Sequence, residues 1–100
     1  MWVRYVPYIL SRNKVEDYDK WFSVFNSSEG IAARKAGGVK SLQIFRNQDD
    51  PTEVIALIEW ESLDSARKYY RNMEFLKRQP MIGVYQWWID YLDEVMRETP

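Results

Sequence analysis

The sequence of 100 residues contains no histidine and no cysteine. These residues supply most protein ligands of zinc and transition metals, and nucleophilic sites of the Ser-His or Cys-His kind require one of them. The acidic residues do not follow the spacing of a calcium-binding EF-hand loop either. We therefore predict a protein without metal, haem or other cofactor, whose chemistry depends on carboxylates, hydroxyls, tyrosine, lysine and arginine.

A strong excess of one charge and a long apolar run are also missing. Fourteen basic and fifteen acidic residues leave a net charge of -1, and neither sign forms a long block. This balance argues against a nucleic-acid partner. No run approaches the roughly twenty apolar residues of a membrane span, and the first ten residues do not have the pattern of a signal peptide. With no disulfide framework, we expect a cytoplasmic protein that binds neither nucleic acid nor membrane.

Aromatic residues are abundant instead. They make up 16% of the chain, within a hydrophobic fraction of 46%, and glycine and proline number only four each. This composition is typical of a packed globular protein, and the length predicts a single domain over residues 1–100. Aromatic rings will therefore dominate its interior or an interface.

The first half of the chain predicts a strand followed by a long helix. Residues 2–12 carry apolar side chains on both faces of an extended chain, with an irregularity expected at Pro7, which lacks an N–H group. Asn13 and Glu16 have the spacing of a capping box. A helical apolar pattern over residues 15–36 then predicts one helix, kinked near Gly30 and ended by the two glycines that follow it.

The second half predicts a hairpin, a helix and a last strand. Two β-prone runs, residues 39–47 and 53–60, flank the turn-rich segment NQDDPT. Opposite charges and apolar pairs predict their register: Ile44 opposite Ile55, Leu42 opposite Leu57, Arg46 opposite Glu53 and Lys40 opposite Glu59. Ser62 is the expected N-cap of a helix over residues 63–72, with residues 73–79 as a short extra turn. Residues 84–92 alternate as a strand, with Trp87 and Trp88 on opposite faces.

This order of elements predicts the α+β class and a ferredoxin-like βαββαβ fold. Its four-stranded antiparallel sheet would carry two main helices on one face. The first and third strands are apolar on both faces, so the face without helices would expose a large apolar patch in a monomer. We therefore predict a homodimer through that sheet face.

Several segments resemble the dimeric α/β-barrel superfamily, and within it small proteins similar to antibiotic-biosynthesis monooxygenases. These segments are VEDYDKWFSVF, ARKAGG, RNQDDP and IEWESLDSARKYY, and the resemblance covers the chain from Tyr8 to about Tyr91. Haem-degrading members of the superfamily carry a histidine ligand where this chain has Pro80, so the resemblance implies no haem. The cofactor-free monooxygenases hold an aromatic substrate between sheet and helices. By resemblance, a small aromatic ligand is expected there, beside Tyr8, Trp21, Trp60 and Tyr70.

Other interpretations of these residues stay open. Trp60 and Trp21 are the kind of side chain that simply completes a core, and the acids Glu59 and Asp90 are expected to pair with Lys40 or Arg46. The chain is then either a binding or catalytic protein with a small-molecule site, or a non-catalytic structural or regulatory homodimer. An RNA-recognition module has the same topology, but its aromatic and basic pattern on the central strands is absent.

Overall fold

Eight secondary-structure elements follow one another in residues 7–99, the part of the chain that the computed structural model describes. They are β1 (Pro7–Val15), α1 (Tyr18–Phe25), α2 (Ser28–Gly37), β2 (Val39–Arg46), β3 (Glu53–Trp60), α3 (Leu63–Arg71), α4 (Met73–Met81) and β4 (Val84–Asp93). The strands form one sheet in the order β2-β3-β1-β4, and all neighbouring strands are antiparallel. The predicted ferredoxin-like α+β fold is confirmed, although each predicted helical region is divided into two helices.

Alternation along β3 shows which face of the sheet the helices cover. Val54, Ala56, Ile58 and Trp60 are buried, whereas the residues between them are only half-buried. The buried side chains pack with β1 and with the helices in two adjoining clusters. One cluster contains Ile9, Ala56, Ile58, Trp60, Ala66 and Tyr70, and the other contains Val15, Trp21, Val54 and Val84. The core therefore lies between the sheet and the helices, and the other face of the sheet is left open.

The boundary between β1 and α1 differs from the prediction. β1 continues to Val15, and α1 is capped by Asp17, whose carboxylate accepts a hydrogen bond from the Lys20 N–H. Asn13 is not a cap, because it lies inside β1 and donates to Ser11 Oγ. The register shift falls between Lys14 and Val15. Pro7 is the first described residue of β1, and residues 2–6 of the predicted strand lie outside the described residues.

The predicted long helix is divided at residues 26 and 27. Ser27 starts α2 as its N-cap, because its hydroxyl accepts a hydrogen bond from the Gly30 N–H at 3.1 Å. A Cβ atom on Gly30 would lie 2.7 Å from the carbonyl oxygen of Phe25. Gly30 is therefore required for the close approach of α2 to the end of α1, and it does not mark a kink within one helix.

The predicted hairpin register is wrong by one residue. Ile44 lies opposite Ala56, and Arg46 lies opposite Val54. A shift of one residue exchanges the two faces of a strand, and the observed register puts Leu42 and Ile44 beside the buried side chains of β3. The free energy gained by burying this apolar surface exceeds the contribution of the half-exposed charge pairs in the predicted register, since such pairs add little to stability.

The charged residues of the predicted pairs have other partners. Glu53 pairs with Arg12 and Lys14 of β1, while Arg46 lies 4.1 Å above the Tyr18 ring. Glu59 accepts a hydrogen bond from Ser41 rather than pairing with a base. Asp90 is exposed in the described structure, so the expected pairing of these acids with Lys40 or Arg46 is wrong.

The second half of the chain agrees more closely with the prediction. Ser62 caps α3 by accepting a hydrogen bond from the Ser65 N–H at 3.0 Å. Residues 73–81 form a separate helix, α4, because Asn72 starts it with a cap of its own. In β4, the register with β1 places Trp87 on the helix-covered face and Trp88 on the open face, as predicted.

Candidate functional site

A cavity of about 90 Å³ lies between the covered face of the sheet and the four helices. β1 and β3 form its floor with Ser11, Asn13, Ala56, Ile58 and Trp60. Its walls come from all four helices and include the aromatic residues Trp21, Phe25, Tyr69, Tyr70 and Phe75. Arg78 also lines the cavity although it is exposed. The cavity therefore reaches the surface on the side of α4.

Four aromatic side chains pack against one another at one end of the cavity. The ring of Trp60 lies 5.2 Å from Tyr69 and 5.7 Å from Tyr70, and Phe75 lies 5.2 Å and 5.3 Å from the same two tyrosines. The contacts of Tyr70 with Trp60 and Phe75 are edge-to-face. Such contacts favour particular orientations of the rings, so this end of the cavity is an aromatic wall.

The indole N–H of Trp60 is the unusual polar group of this wall. Trp60 is 1% exposed, and its Nε1 has no hydrogen-bond partner among residues 7–99. A buried donor without a partner costs about 1–3 kcal/mol, and tryptophan N–H groups normally find one when they are buried. Trp60 therefore brings an unpartnered buried donor to the lining of the cavity.

Tyr70 supplies a second polar atom close to this donor. Burial raises the pKa of its hydroxyl well above its usual range, and the nearby Trp60 N–H opposes that shift without the geometry of a formed hydrogen bond. Tyr70 is therefore neutral near pH 7. It can donate a hydrogen bond to a ligand but cannot serve as a base there.

Arg34 brings a positive charge to the opposite wall. The side chain is 9% exposed, its Nη1 donates to the Phe25 carbonyl at 2.8 Å, and its Cζ lies 3.8 Å above the Phe25 ring. Burial lowers the pKa of the guanidinium, but an arginine stays protonated near neutral pH. The cavity thus combines an aromatic wall, an unpartnered indole donor and a buried cation.

Comparison with known proteins places the sequence in a family. Residues 11–80 match the family described as Domain of unknown function (DUF3764). The chain belongs to this family. The matched part includes the second half of β1, helices α1 to α3, the hairpin and α4 up to Pro80, and it therefore contains the cavity lining of this DUF3764 protein except Ile82. No curated protein matches the sequence.

Solved structures share the fold at low sequence identity. SnoaB, a cofactor-independent oxygenase from Streptomyces nogalater, is 16% identical with a TM-score of 0.71, covering 96% of this chain and 97% of that chain. The ActVA-Orf6 monooxygenase of Streptomyces coelicolor, in complex with nanaomycin D, is 12% identical with a TM-score of 0.73, covering 96% and 93%. A dimeric ferredoxin-like protein from an uncultured marine organism is 10% identical with a TM-score of 0.66, covering 97% and 94%. The resemblance to monooxygenase-like ferredoxin-fold proteins is thus confirmed for the fold.

The structure brings three of the four predicted site residues together. Trp21, Trp60 and Tyr70 all line the cavity. Tyr8 does not, because its neighbour Ile9 points into the core and alternation turns Tyr8 to the open face, beside Leu92. The Tyr8 hydroxyl accepts a hydrogen bond from Arg97 at 2.9 Å.

Sequence reasoning missed several residues of the cavity. Ser11 is buried on its floor, and the same alternation that buries Ile9 was the signal that could have found it. Gln79 is buried and donates to the Phe75 carbonyl at 3.0 Å. The sequence signal for Arg34 was weaker. Arg34 follows Gly30 by one helical turn, but it is buried only because α2 approaches α1 at that glycine.

A wider groove of about 450 Å³ runs along the outside of the helices. It lies beside α2, α3 and α4 and shares Tyr69, Phe75 and Arg78 with the cavity. These three side chains therefore form the partition between the groove and the cavity.

The open face of the sheet is apolar at its centre. Alternation and strand register place there the apolar residues Tyr8, Leu10, Phe45, Ile55, Leu57, Trp88 and Leu92. Phe45 and Trp88 are 48% and 44% exposed in the single chain. No helix in residues 7–99 is long and apolar enough to cross a membrane. The same residues contain no cluster of three or more acidic side chains placed to bind a metal.

Proposed function

We propose that this protein binds a small aromatic molecule carrying an oxygen substituent in the cavity between sheet and helices. The free indole N–H of Trp60 is the observation on which the proposal rests, because a ligand oxygen that accepts it removes the cost of a buried unpartnered donor. The aromatic wall beside it offers edge and face contacts to a ring. Together they match the general form of a ligand site, which is mostly apolar with a few directed polar groups.

The cavity as it stands is smaller than a known site for one aromatic ring. A volume of about 90 Å³ is below the ~150 Å³ of an engineered cavity that binds benzene and far below the ~300–1,000 Å³ of drug-sized sites. Phe75 and Arg78 are not fully buried and form part of the partition toward the outer groove. The proposal therefore requires these side chains to move, so that the cavity can hold a substituted single ring.

The reaction that fits this site is oxygenation of the ligand without a cofactor. SnoaB, which has the same fold, is named as a cofactor-independent oxygenase. In such a reaction the ligand supplies the electrons: a phenol takes up O2, and one oxygen atom becomes the second carbonyl of a quinone. The other oxygen atom leaves as water with the hydroxyl proton of the phenol and the hydrogen of the ring carbon that is oxidised. The Trp60 N–H would stabilise the negative charge that develops on the phenol oxygen.

The functional unit in this proposal is a homodimer joined through the open face. A contiguous apolar surface of this kind is a liability in a monomer, and two such sheets pack well face to face. The similar protein from an uncultured marine organism is described as dimeric. A second copy of this chain, which carries the same apolar surface, is therefore the partner that we propose.

Ligand binding and oxygen uptake test the proposal. Phenol, catechol, hydroquinone and benzamide are titrated against the protein while tryptophan fluorescence is recorded, since Trp21 and Trp60 both line the cavity. We expect at least one ligand to quench saturably, and an oxygen electrode to record uptake with a bound phenol. No saturable quenching by any of these ligands would contradict the binding proposal, and binding without oxygen uptake would contradict the oxygenation step alone.

A non-catalytic homodimer is the second candidate function. The small volume of the cavity favours it, because a core filled by its own side chains needs no ligand. This alternative predicts dimerisation through the open face with neither quenching nor oxygen uptake.

A further inference from the structure

Arg34 is a buried cation without a carboxylate partner. Its side chain is 9% exposed, and no acidic side chain among residues 7–99 forms an ion pair with it. The lining of the cavity also contains no aspartate or glutamate. Buried charges in proteins are normally paired, because an isolated one is strongly disfavoured by the loss of hydration. This charge is therefore only partly compensated by the protein.

The compensation that exists comes from the end of α1. The guanidinium donates to the Phe25 carbonyl and lies over the Phe25 ring, and the carbonyls at a helix C-terminus carry about half a negative charge. This hydrogen bond uses one of the five N–H groups of arginine. The other four have no protein partner within residues 7–99, while the side chain lines the cavity.

The charge of Arg34 acts on the aromatic end of the cavity. It opposes the effect of burial on the pKa of Tyr69 and of Tyr70. These two tyrosines belong to the same aromatic wall as Trp60. Arg34, Tyr70 and Trp60 therefore line one small cavity, and the side chain of each carries a hydrogen-bond donor.

We propose that Arg34 makes this cavity selective for an anion: a single planar ring bearing a carboxylate or an ionised phenol oxygen. The oxyanion pairs with the free N–H groups of Arg34, and the ring lies against the aromatic wall, where Trp60 donates to an oxygen of the ligand. This inference rests on the proposed small-molecule site and defines the charge of its ligand. A guanidinium suits this role, because its planar fork matches the two oxygens of a carboxylate.

Arg78 does not explain the same selectivity. It lines the cavity, but it is exposed, and solvent screens an exposed charge far more than a buried one. Arg78 would raise the rate at which anions arrive, whereas Arg34 would determine how tightly they are held.

Benzoate and benzamide provide the test, because they have almost the same shape and differ in charge at pH 7. Each is titrated against the wild-type protein, with tryptophan fluorescence and nuclear magnetic resonance chemical shifts of the indole N–H groups as readouts. We expect benzoate to bind at least about tenfold more tightly than benzamide, as a charge-assisted hydrogen bond implies. The wild-type comparison does not depend on the folding of any variant.

Two variants identify the residue responsible. Arg34→Met keeps an unbranched side chain, although a shorter one, and removes the charge, so it should abolish the preference for benzoate over benzamide. Arg78→Met removes the other positive charge of the lining and should leave the preference unchanged. Circular dichroism and thermal unfolding show whether Arg34→Met remains folded, and Arg34→Lys, which retains the charge, should recover part of the preference.

Each outcome separates the two proposals. Equal binding of benzoate and benzamide by the wild-type protein would overturn the selectivity for anions and leave the small-molecule site standing. Loss of the preference in Arg78→Met rather than in Arg34→Met would overturn the assignment to Arg34. No saturable binding of either ligand would overturn this inference and count against the cavity as a binding site.

Discussion

Replacing Trp60 by Phe separates a functional role of this residue from a structural one. Trp60 is 1% exposed and packs against Tyr69 and Tyr70. The substitution puts a phenyl ring where the five-membered ring of the indole was, and it removes the N–H group together with the outer part of the indole. A residue that only fills the core loses packing through this change, whereas a ligand-binding residue loses its hydrogen bond to the ligand.

Two opposing terms set the expected change in the free energy of unfolding. Phenylalanine is smaller than tryptophan by roughly 40 Å³, and a residual cavity costs about 24 cal/mol per Å³, so the packing loss is about 1 kcal/mol. The substitution also removes a buried N–H group that has no partner, and its absence returns about 1 kcal/mol or more. We therefore expect the stability of Trp60→Phe to lie within about 1 kcal/mol of the wild type.

Urea unfolding and a fluorescence titration measure the two consequences. Ligand affinity should fall about tenfold in Trp60→Phe, since a directed hydrogen bond is lost, and Trp21 remains in the cavity as a reporter. Trp87→Phe is the matched control, because Trp87 lies on the same face of the sheet but outside the cavity lining. A loss of about 3 kcal/mol or more with unchanged ligand affinity would show that Trp60 is a core residue and that the ligand binds elsewhere.

Three further predictions concern the interface, the charges and the helix break. Leu57→Arg on the open face should yield monomers in sedimentation velocity, whereas Ile31→Arg at an exposed position of α2 should not. A monomeric wild-type protein would refute the proposed dimer interface. The Lys14 ammonium holds the pKa of Asp50 at about 2, below the ~3.9 of an unfolded chain. The stabilisation by Asp50 is therefore complete above about pH 4. The small difference in the free energy of unfolding between wild type and Asp50→Asn should shrink as pH falls toward 2. A difference that does not change with pH would contradict the ion pair. Gly30→Ala should destabilise the protein in thermal unfolding, because the new Cβ would lie 2.7 Å from a carbonyl oxygen of α1, whereas a gain of about 1 kcal/mol, usual within a helix, would refute the close approach.

The order of the elements was accessible from local patterns. Ser62 and the alternating residues of β4 predicted the second helix and the last strand with bounds close to those observed. Each signal lies within a few neighbouring residues, as caps and strand alternation do. Ser27 was also a strong cap, but the apolar pattern on both sides of it suggested one continuous helix, and the break was missed.

The register of the hairpin shows where local reasoning ends. Pairing Arg46 with Glu53 gave a consistent pattern of charges, yet Glu53 pairs with Arg12 and Lys14. β3 has two neighbours in the sheet, and its pairing with β1 is not visible from the hairpin alone. The free energy of burying Val54 and Trp60 under the helices sets the register, and it depends on the whole fold.

The class of fold, the lack of histidine and cysteine chemistry, and the apolar pattern on both faces of the central strands follow from residue type and spacing alone. They need no knowledge of distant contacts. In contrast, the packing of distant segments brings Trp21, Trp60 and Tyr70 to one cavity and leaves Tyr8 outside it. Only the approach of α2 to α1, permitted by Gly30, buried Arg34 beside that cavity. Burial and the loss of partners arise when separate elements pack together, so the donor groups that define this site have no signature in any single segment.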